Sequence, residues 1–294
     1  MPRRSDLGGT GRCSLDTPEI SDYTLEIYSQ SGYDCIIFPK PCCCSQELTM
    51  TDAALMWIEI IFNLSYLTVI WWLVITMFLR RSTVNKEQQR TAKLFILAFG
   101  LLALGDTGHV GFRVVAFLKG DLSARVDFLG FSGSLVGLGA LATAFTVTLF
   151  YMIMLEIWRT RFDKEHGLFS AVLLFAGLIR LGLMALPFNQ WDQVVPVQPW
   201  STIRNLPLMV LGLGAAALFL IDGIKARDRS FTAMAASILI SYACYIPVIL
   251  WVQQVPLLGM LMIPKTLAYL AVGILAYREL YPQPLLGGEL REME

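Results

Sequence analysis

Charge is scarce in this chain. Only 16% of its 294 residues are Asp, Glu, Lys or Arg, against about 25% in ordinary soluble domains. With 55% hydrophobic residues and a mean hydropathy of +0.59, the composition excludes a typical water-soluble globule and points to a membrane protein. Neither charge sign is in excess: 23 Lys and Arg balance 23 Asp and Glu, so there is no basic surface to suggest a nucleic-acid partner. Histidine is nearly absent. His109 lies in an apolar run and His166 in a polar connection, so no two-histidine metal site can form within the chain. Past residue 50 only one cysteine, Cys244, remains. No internal repeat and no second soluble domain can be drawn.

What is present are long apolar runs. Seven segments, about 54–78, 94–118, 128–155, 168–187, 204–222, 231–253 and 257–277, approach or exceed the roughly 20 residues a helix needs to cross about 30 Å of hydrocarbon. A spanning β-barrel would show alternating segments of about ten residues instead. Backbone groups in lipid must bond within their own segment, so continuous runs imply helices. The expected fold is all-α: a polytopic membrane protein with seven transmembrane helices over 51–280 and a short tail over 281–294. Its sidedness follows from Lys and Arg in the loops. Arg80, Arg81, Lys86, Arg90, Lys93, Arg159, Arg161, Lys164, Lys225, Arg227, Arg229, Arg278 and Arg291 fall on one side, and only Lys119, Arg125 and Arg204 on the other. Thirteen against three predicts an outside N-terminus and a cytoplasmic C-terminus, in the cell membrane.

Residues 1–50 read differently. They are polar and irregular, lack the apolar core of a signal peptide, and hold Cys13, Cys35, Cys42, Cys43 and Cys44 without any histidine. An external tail could pair such cysteines, but five is odd and three are consecutive, and no zinc spacing is present. Met50 opens "MTDAALMWIEI", a natural start for a helix entering from outside. The tail is therefore expected to be dispensable, an upstream extension of the helical domain.

Polar residues within the apolar runs carry the functional information, because a charge at the bilayer centre costs at least about 2.5–3.5 kcal/mol and so faces the bundle interior or a cavity. The second segment contains "GDTGHVGFR", in which Asp106, His109 and Arg113 share one helical face. Glu59, Asn63 and Tyr66 share a face of the first. Arg180 lies in the fourth, Arg204 and Asn205 open the fifth, Ser241, Tyr242 and Tyr245 lie in the sixth, and Lys265 and Tyr269 in the seventh. At roughly 1.5 Å per residue, Glu59, Arg113, Arg180, Tyr245 and Lys265 fall about 8–12 Å below the outer surface, with Asp106 deeper and Arg204 above. Cations outnumber acids at this level, which predicts an outward-facing site for an anionic small molecule or a lipid headgroup, with Arg supplying bidentate contacts. Its expected members are Glu59, Asp106, His109, Arg113, Arg180, Tyr245 and Lys265. Asp106 and His109 would orient the cations or relay a proton. The alternative is a purely structural network, pairing Arg113 with Asp106 and Arg180 with Glu59. A lipid-modifying enzyme is a further alternative, with Asp106 and His109 as acid and base; it lacks a convincing nucleophile beyond Ser132 and Ser134.

In the third segment Gly130, Gly133, Gly137, Ala140 and Ala144 form a small-residue stripe that permits close helix packing. The outer connection "PFNQWDQVVPVQPWSTIRNLP" reads as an interfacial cover anchored by Trp191 and Trp200.

Two resemblances follow from these residues. "MALPFNQW", "IRNLPLMVLG" and "MLMIPKTLAYL" are similar to segments of bacterial seven-helix membrane proteins, a likeness over 50–280 that implies the fold and no activity. Seven helices, a lysine in the last and "SYACYIPVILW" in the sixth resemble the microbial rhodopsin plan, which implies retinal on Lys265. The third segment departs from that plan, since it contains no acid to serve as counterion, and Lys265 lies near the outer end. No other cofactor is expected. The zinc-dependent seven-helix hydrolases are excluded, because they need three intramembrane histidines.

Overall fold

The computed structural model describes residues 28–30, 33–35, 50–119, 124–128, 131–193 and 196–281. Seven α-helices dominate it: α1 Met50–Leu79, α2 Gln89–Leu118, α3 Leu135–Arg161, α4 Leu168–Met184, α5 Trp200–Lys225, α6 Arg229–Trp251 and α7 Met262–Leu280. Six are long and apolar enough to cross a membrane, and α4, with 17 residues, is a shorter apolar helix. The protein is therefore an all-α polytopic membrane protein in contact with a lipid bilayer. Large apolar side chains such as Trp72, Phe78, Phe175 and Leu257 point outward, more than half of each surface exposed at all but Phe78. Lipid accommodates such a surface, whereas water would not.

The helices pack as a ring in chain order, closed by α1 against α7, with α3 also touching α5 and α2 touching α7. The core is aromatic. Phe95, Phe99, Phe150, Tyr151, Phe219, Phe231 and Tyr242 are fully buried and meet edge-on or stacked, at ring separations such as 5.4 Å for Phe99 and Phe150.

The α2–α3 seam is the tightest. A Cβ built on Gly139 would lie 2.9 Å from the Cα of His109, and one on Gly105 would lie 1.9 Å from Thr146 Oγ1. Only glycine permits this approach, the geometry small-residue interfaces favour in membranes. The small-residue stripe nevertheless starts later than the sequence pattern implied. Helix α3 begins at Leu135, not 128, because Arg125–Phe128 (β3) and Phe131–Ser134 (β4) pair as an antiparallel hairpin. Gly133 is thus in a strand, Gly137 lies against the Trp191 carbonyl, and the glycine that meets the α2 backbone is Gly139, outside the expected stripe. Ser134 caps α3, its Oγ accepting a 2.9 Å hydrogen bond from the Gly137 N–H.

The two bundle ends differ. At the end holding the α3–α4 and α5–α6 turns, α3 is tied to its neighbours by polar contacts. Glu156 pairs with Arg90 of α2 at 2.7 Å, Trp158 donates to Asp222 of α5 at 2.9 Å, and Arg161 reaches Asp228 at 2.8 Å and Glu279 of α7 at 3.0 Å. Asp228 also caps α6 by accepting from the Phe231 N–H. At the opposite end the one described ion pair is Arg125 with Asp192, at 2.9 Å.

Of the first 49 residues, two strands are described, Tyr28–Gln30 and Tyr33–Cys35, paired antiparallel. The expected dispensability of the tail and the pairing of its cysteines lie outside the described residues, as does 282–294.

Candidate functional site: three cations around Tyr245

Three cations within the helices are related to Tyr245, Lys265 by direct contact with its ring and Arg180 and Arg204 at longer electrostatic range. Lys265, the fourth residue of α7, places Nζ 3.9 Å from the ring centroid of Tyr245 on α6, and 5.8 Å from that of Tyr269. Arg180, near the end of α4, and Arg204, five residues into α5, both act electrostatically on Tyr245. The Ser241 hydroxyl donates to the Lys265 carbonyl at 3.5 Å, tying α6 to α7 at this level.

Each guanidinium is held by neutral groups. Arg180 donates through Nη1 to Thr148 Oγ1 at 3.0 Å and through Nη2 to Asn205 Oδ1 at 3.3 Å, while its buried Nε has no partner among the described residues. Arg204 donates through Nη1 to Asn189 Oδ1 at 3.2 Å and stacks over the Trp191 ring at 4.2 Å. Arg180 is 2% exposed and Arg204 7%, so neither head snorkels to the interface. Among the described residues no carboxylate lies within ion-pair distance of Arg180, Arg204 or Lys265. The Tyr245 hydroxyl, on a half-buried residue, has no hydrogen bond there either.

The connection after α4 builds the support for Arg204. Helix ends leave unpaired carbonyls, and two side chains of this connection satisfy them. Asn189 Nδ2 donates to the carbonyls of Leu183 and Leu186, and Trp191 Nε1 donates to that of Met184 at 3.0 Å. Both side chains, once fixed, turn their other faces to Arg204. Trp191 is thus buried against a guanidinium. It also forms one wall of an apolar groove of about 520 Å³ between α3 and α4, whose other walls include Leu141, Phe145, Leu181 and Met184.

Asp106 lies beside this cluster and does not close it. Its carboxylate accepts from Tyr66 of α1 at 2.9 Å and is within electrostatic range of Lys265. His109, one turn on, is half-buried, with Nδ1 unpartnered among the described residues and both Arg113 and Lys265 in electrostatic range. Arg113 is half-buried and has its own partner. The Glu59 side chain lies outside the described residues. The pairing of Arg180 with an acid, one half of the structural alternative, is replaced by bonds to Thr148 and Asn205.

Below the cluster lies a row of tyrosines. Tyr151 and Tyr269 share a 2.8 Å hydroxyl–hydroxyl bond, and Tyr242 donates to the Leu208 carbonyl at 3.0 Å. Ser134, one of the two candidate nucleophiles, is fully buried with its oxygen committed to the α3 cap; the Ser132 side chain lies outside the described residues. Among the described residues there is no group of three metal-ligating side chains.

No protein-family model matches the chain, and comparison with curated proteins and with solved structures yields no match.

Proposed function

We propose that this is a seven-span membrane protein that binds an anionic small molecule or lipid headgroup at the cluster of Arg180, Arg204 and Lys265, in order to sense or transport it. The observation that carries the reading is the absence of a described carboxylate partner for three cations that share one tyrosine. A buried charge left without a partner costs several kcal/mol. Two arginines at 2% and 7% exposure, held by amide and hydroxyl oxygens and, for Arg204, the Trp191 ring, are therefore best matched by an anion from outside the chain. Asp106 and His109 stand one helix face away and tune the site.

Sidedness belongs to the same proposal. With α4 as a seventh span, near the short limit of about 17 residues, the Lys- and Arg-rich turns lie in the cytoplasm and the cation cluster lies in the outer half of the cell membrane. A reporter fused after Glu294 that works only in the cytoplasm is expected to be active.

The binding test is thermal unfolding of the purified full chain in detergent with acetate, benzoate or inorganic phosphate. At least one anion raises the midpoint of the wild type, by mass action on the folded state, and the rise disappears in Lys265→Met. Equal midpoints with and without every anion would reduce the cluster to a structural role.

A further inference from the structure

Three cations and one acid do not balance. Among the described residues no carboxylate pairs with Arg180, Arg204 or Lys265, and Asp106 is in electrostatic range of Lys265. Set against Arg180, Arg204 and Lys265, it leaves two positive charges uncompensated. The two arginines also lie in each other's field, and Arg180 bonds Asn205, the residue next to Arg204 in sequence. Like charges held together by neutral oxygens are destabilising, and a doubly negative group between them offsets that cost more fully than a singly negative one.

Resting on the anion-binding reading above, we infer that the ligand carries a phosphate monoester, a dianionic group, bound between Arg180, Arg204 and Lys265. Charge and geometry agree on this choice. A phosphate monoester carries about −1.5 to −2 at pH 7 and presents three acceptor oxygens, whereas a carboxylate carries one charge on two. The cations arrive from three helices, α4, α5 and α7, and so surround a tetrahedral group better than a planar one. The unpartnered Nε of Arg180 supplies one edge of a fork suited to a phosphate oxygen. Lys265 contributes a point charge, with its Nζ bound to no described oxygen and resting on the Tyr245 ring. A free metabolite-sized molecule and a lipid whose chain lies in the groove walled by Trp191 both present this ester, and the phosphate chemistry is the same for both.

The test compares methyl phosphate, dimethyl phosphate and acetate as probes in thermal unfolding of the full chain in detergent. Dimethyl phosphate keeps the tetrahedral shape and loses one charge. Methyl phosphate is expected to bind at least about tenfold more tightly than the other two, a difference that one uncompensated charge easily supplies. The preference is expected to collapse in Arg204→Gln and in Lys265→Met. Should Arg204→Gln fail to fold, Lys265→Met carries the test, since Met keeps the chain length and Nζ makes no described hydrogen bond. Dioctanoyl phosphatidic acid binding more tightly than methyl phosphate, with dioctanoyl phosphatidylcholine inert, identifies a lipid ester; methyl phosphate binding alone identifies a free one. Equal binding of all three small anions overturns the dianion inference and leaves the anion site standing. No binding by any of them overturns both.

Discussion

Substituting Gly139 by alanine tests the seam on which the site is hung. The added Cβ would meet His109 Cα at 2.9 Å and the carbonyl oxygens of Gly108 and His109 at 3.2 Å. All three are backbone atoms of α2, so no side chain can rotate out of the way. Carbon contacts are comfortable at about 3.5–4.0 Å, so α2 and α3 must part by about half an ångström or more. Overpacking of this kind costs about 1–3 kcal/mol. Alanine regains about 0.5–1 kcal/mol of helix propensity over glycine, which leaves a net loss of up to about 2.5 kcal/mol. Gly111→Ala is the control, on α2 about one turn after Gly108. Nothing lies within 4 Å of its added Cβ, so only the propensity gain of about 0.5–1 kcal/mol remains. Thermal unfolding of both variants in the same detergent is expected to move their midpoints in opposite directions from the wild type. If Gly139→Ala is as stable as Gly111→Ala, the α2–α3 backbone contact is not what holds these helices together.

Three further outcomes follow from named contacts. Tyr66→Phe removes the 2.9 Å donor to Asp106 and is expected to cost about 0.6–1.7 kcal/mol, the range for interhelical bonds in membranes; an unchanged unfolding midpoint would show that Asp106 does not depend on α1. Ser134→Ala deletes the cap on α3 at about 1 kcal/mol, while Ser134→Asn keeps an accepting oxygen and most of the stability. Arg161→Gln cuts the contacts to Asp228 and Glu279 together and is expected to cost about 1 kcal/mol at low salt, shrinking in 1 M salt because these groups are partly exposed; a salt-independent cost would assign the loss to packing against Phe231 instead.

The helices were legible because an apolar run near the thickness of a bilayer has few other readings. Their ends were less so. The run from 128 hides a hairpin, since Phe128 and Phe131 are as apolar as the helix that follows, and periodicity cannot separate a short apolar strand from a helix start. Helix α2 begins at Gln89, five residues before the apolar run, because Gln89, Arg90 and Thr91 continue the helix beyond the hydrocarbon. At the site, depth was readable by counting residues, and it brought Tyr245, Arg180 and Lys265 to one level. Helix rotation was not readable. It decides that Arg180 meets Thr148 and Asn205 and not an acid, and that Arg204 meets Asn189 and the Trp191 ring. Asn189 and Trp191 escaped notice as site residues for another reason. Their role depends on which α4 carbonyls remain open, and the only trace in the sequence is an amide and an indole set just past a helix end.

The asymmetry between the bundle ends has a mechanical meaning. Helix α3 acts as a post, with α2, α5 and α7 lashed to it at one end through Glu156, Trp158 and Arg161. At the far end, Arg180 and Arg204 lie in each other's field across α4 and α5, with one described ion pair to restrain that end. Such a bundle is built like tweezers: its handle is fixed by polar ties, and its tips are left with far fewer of them among the described residues.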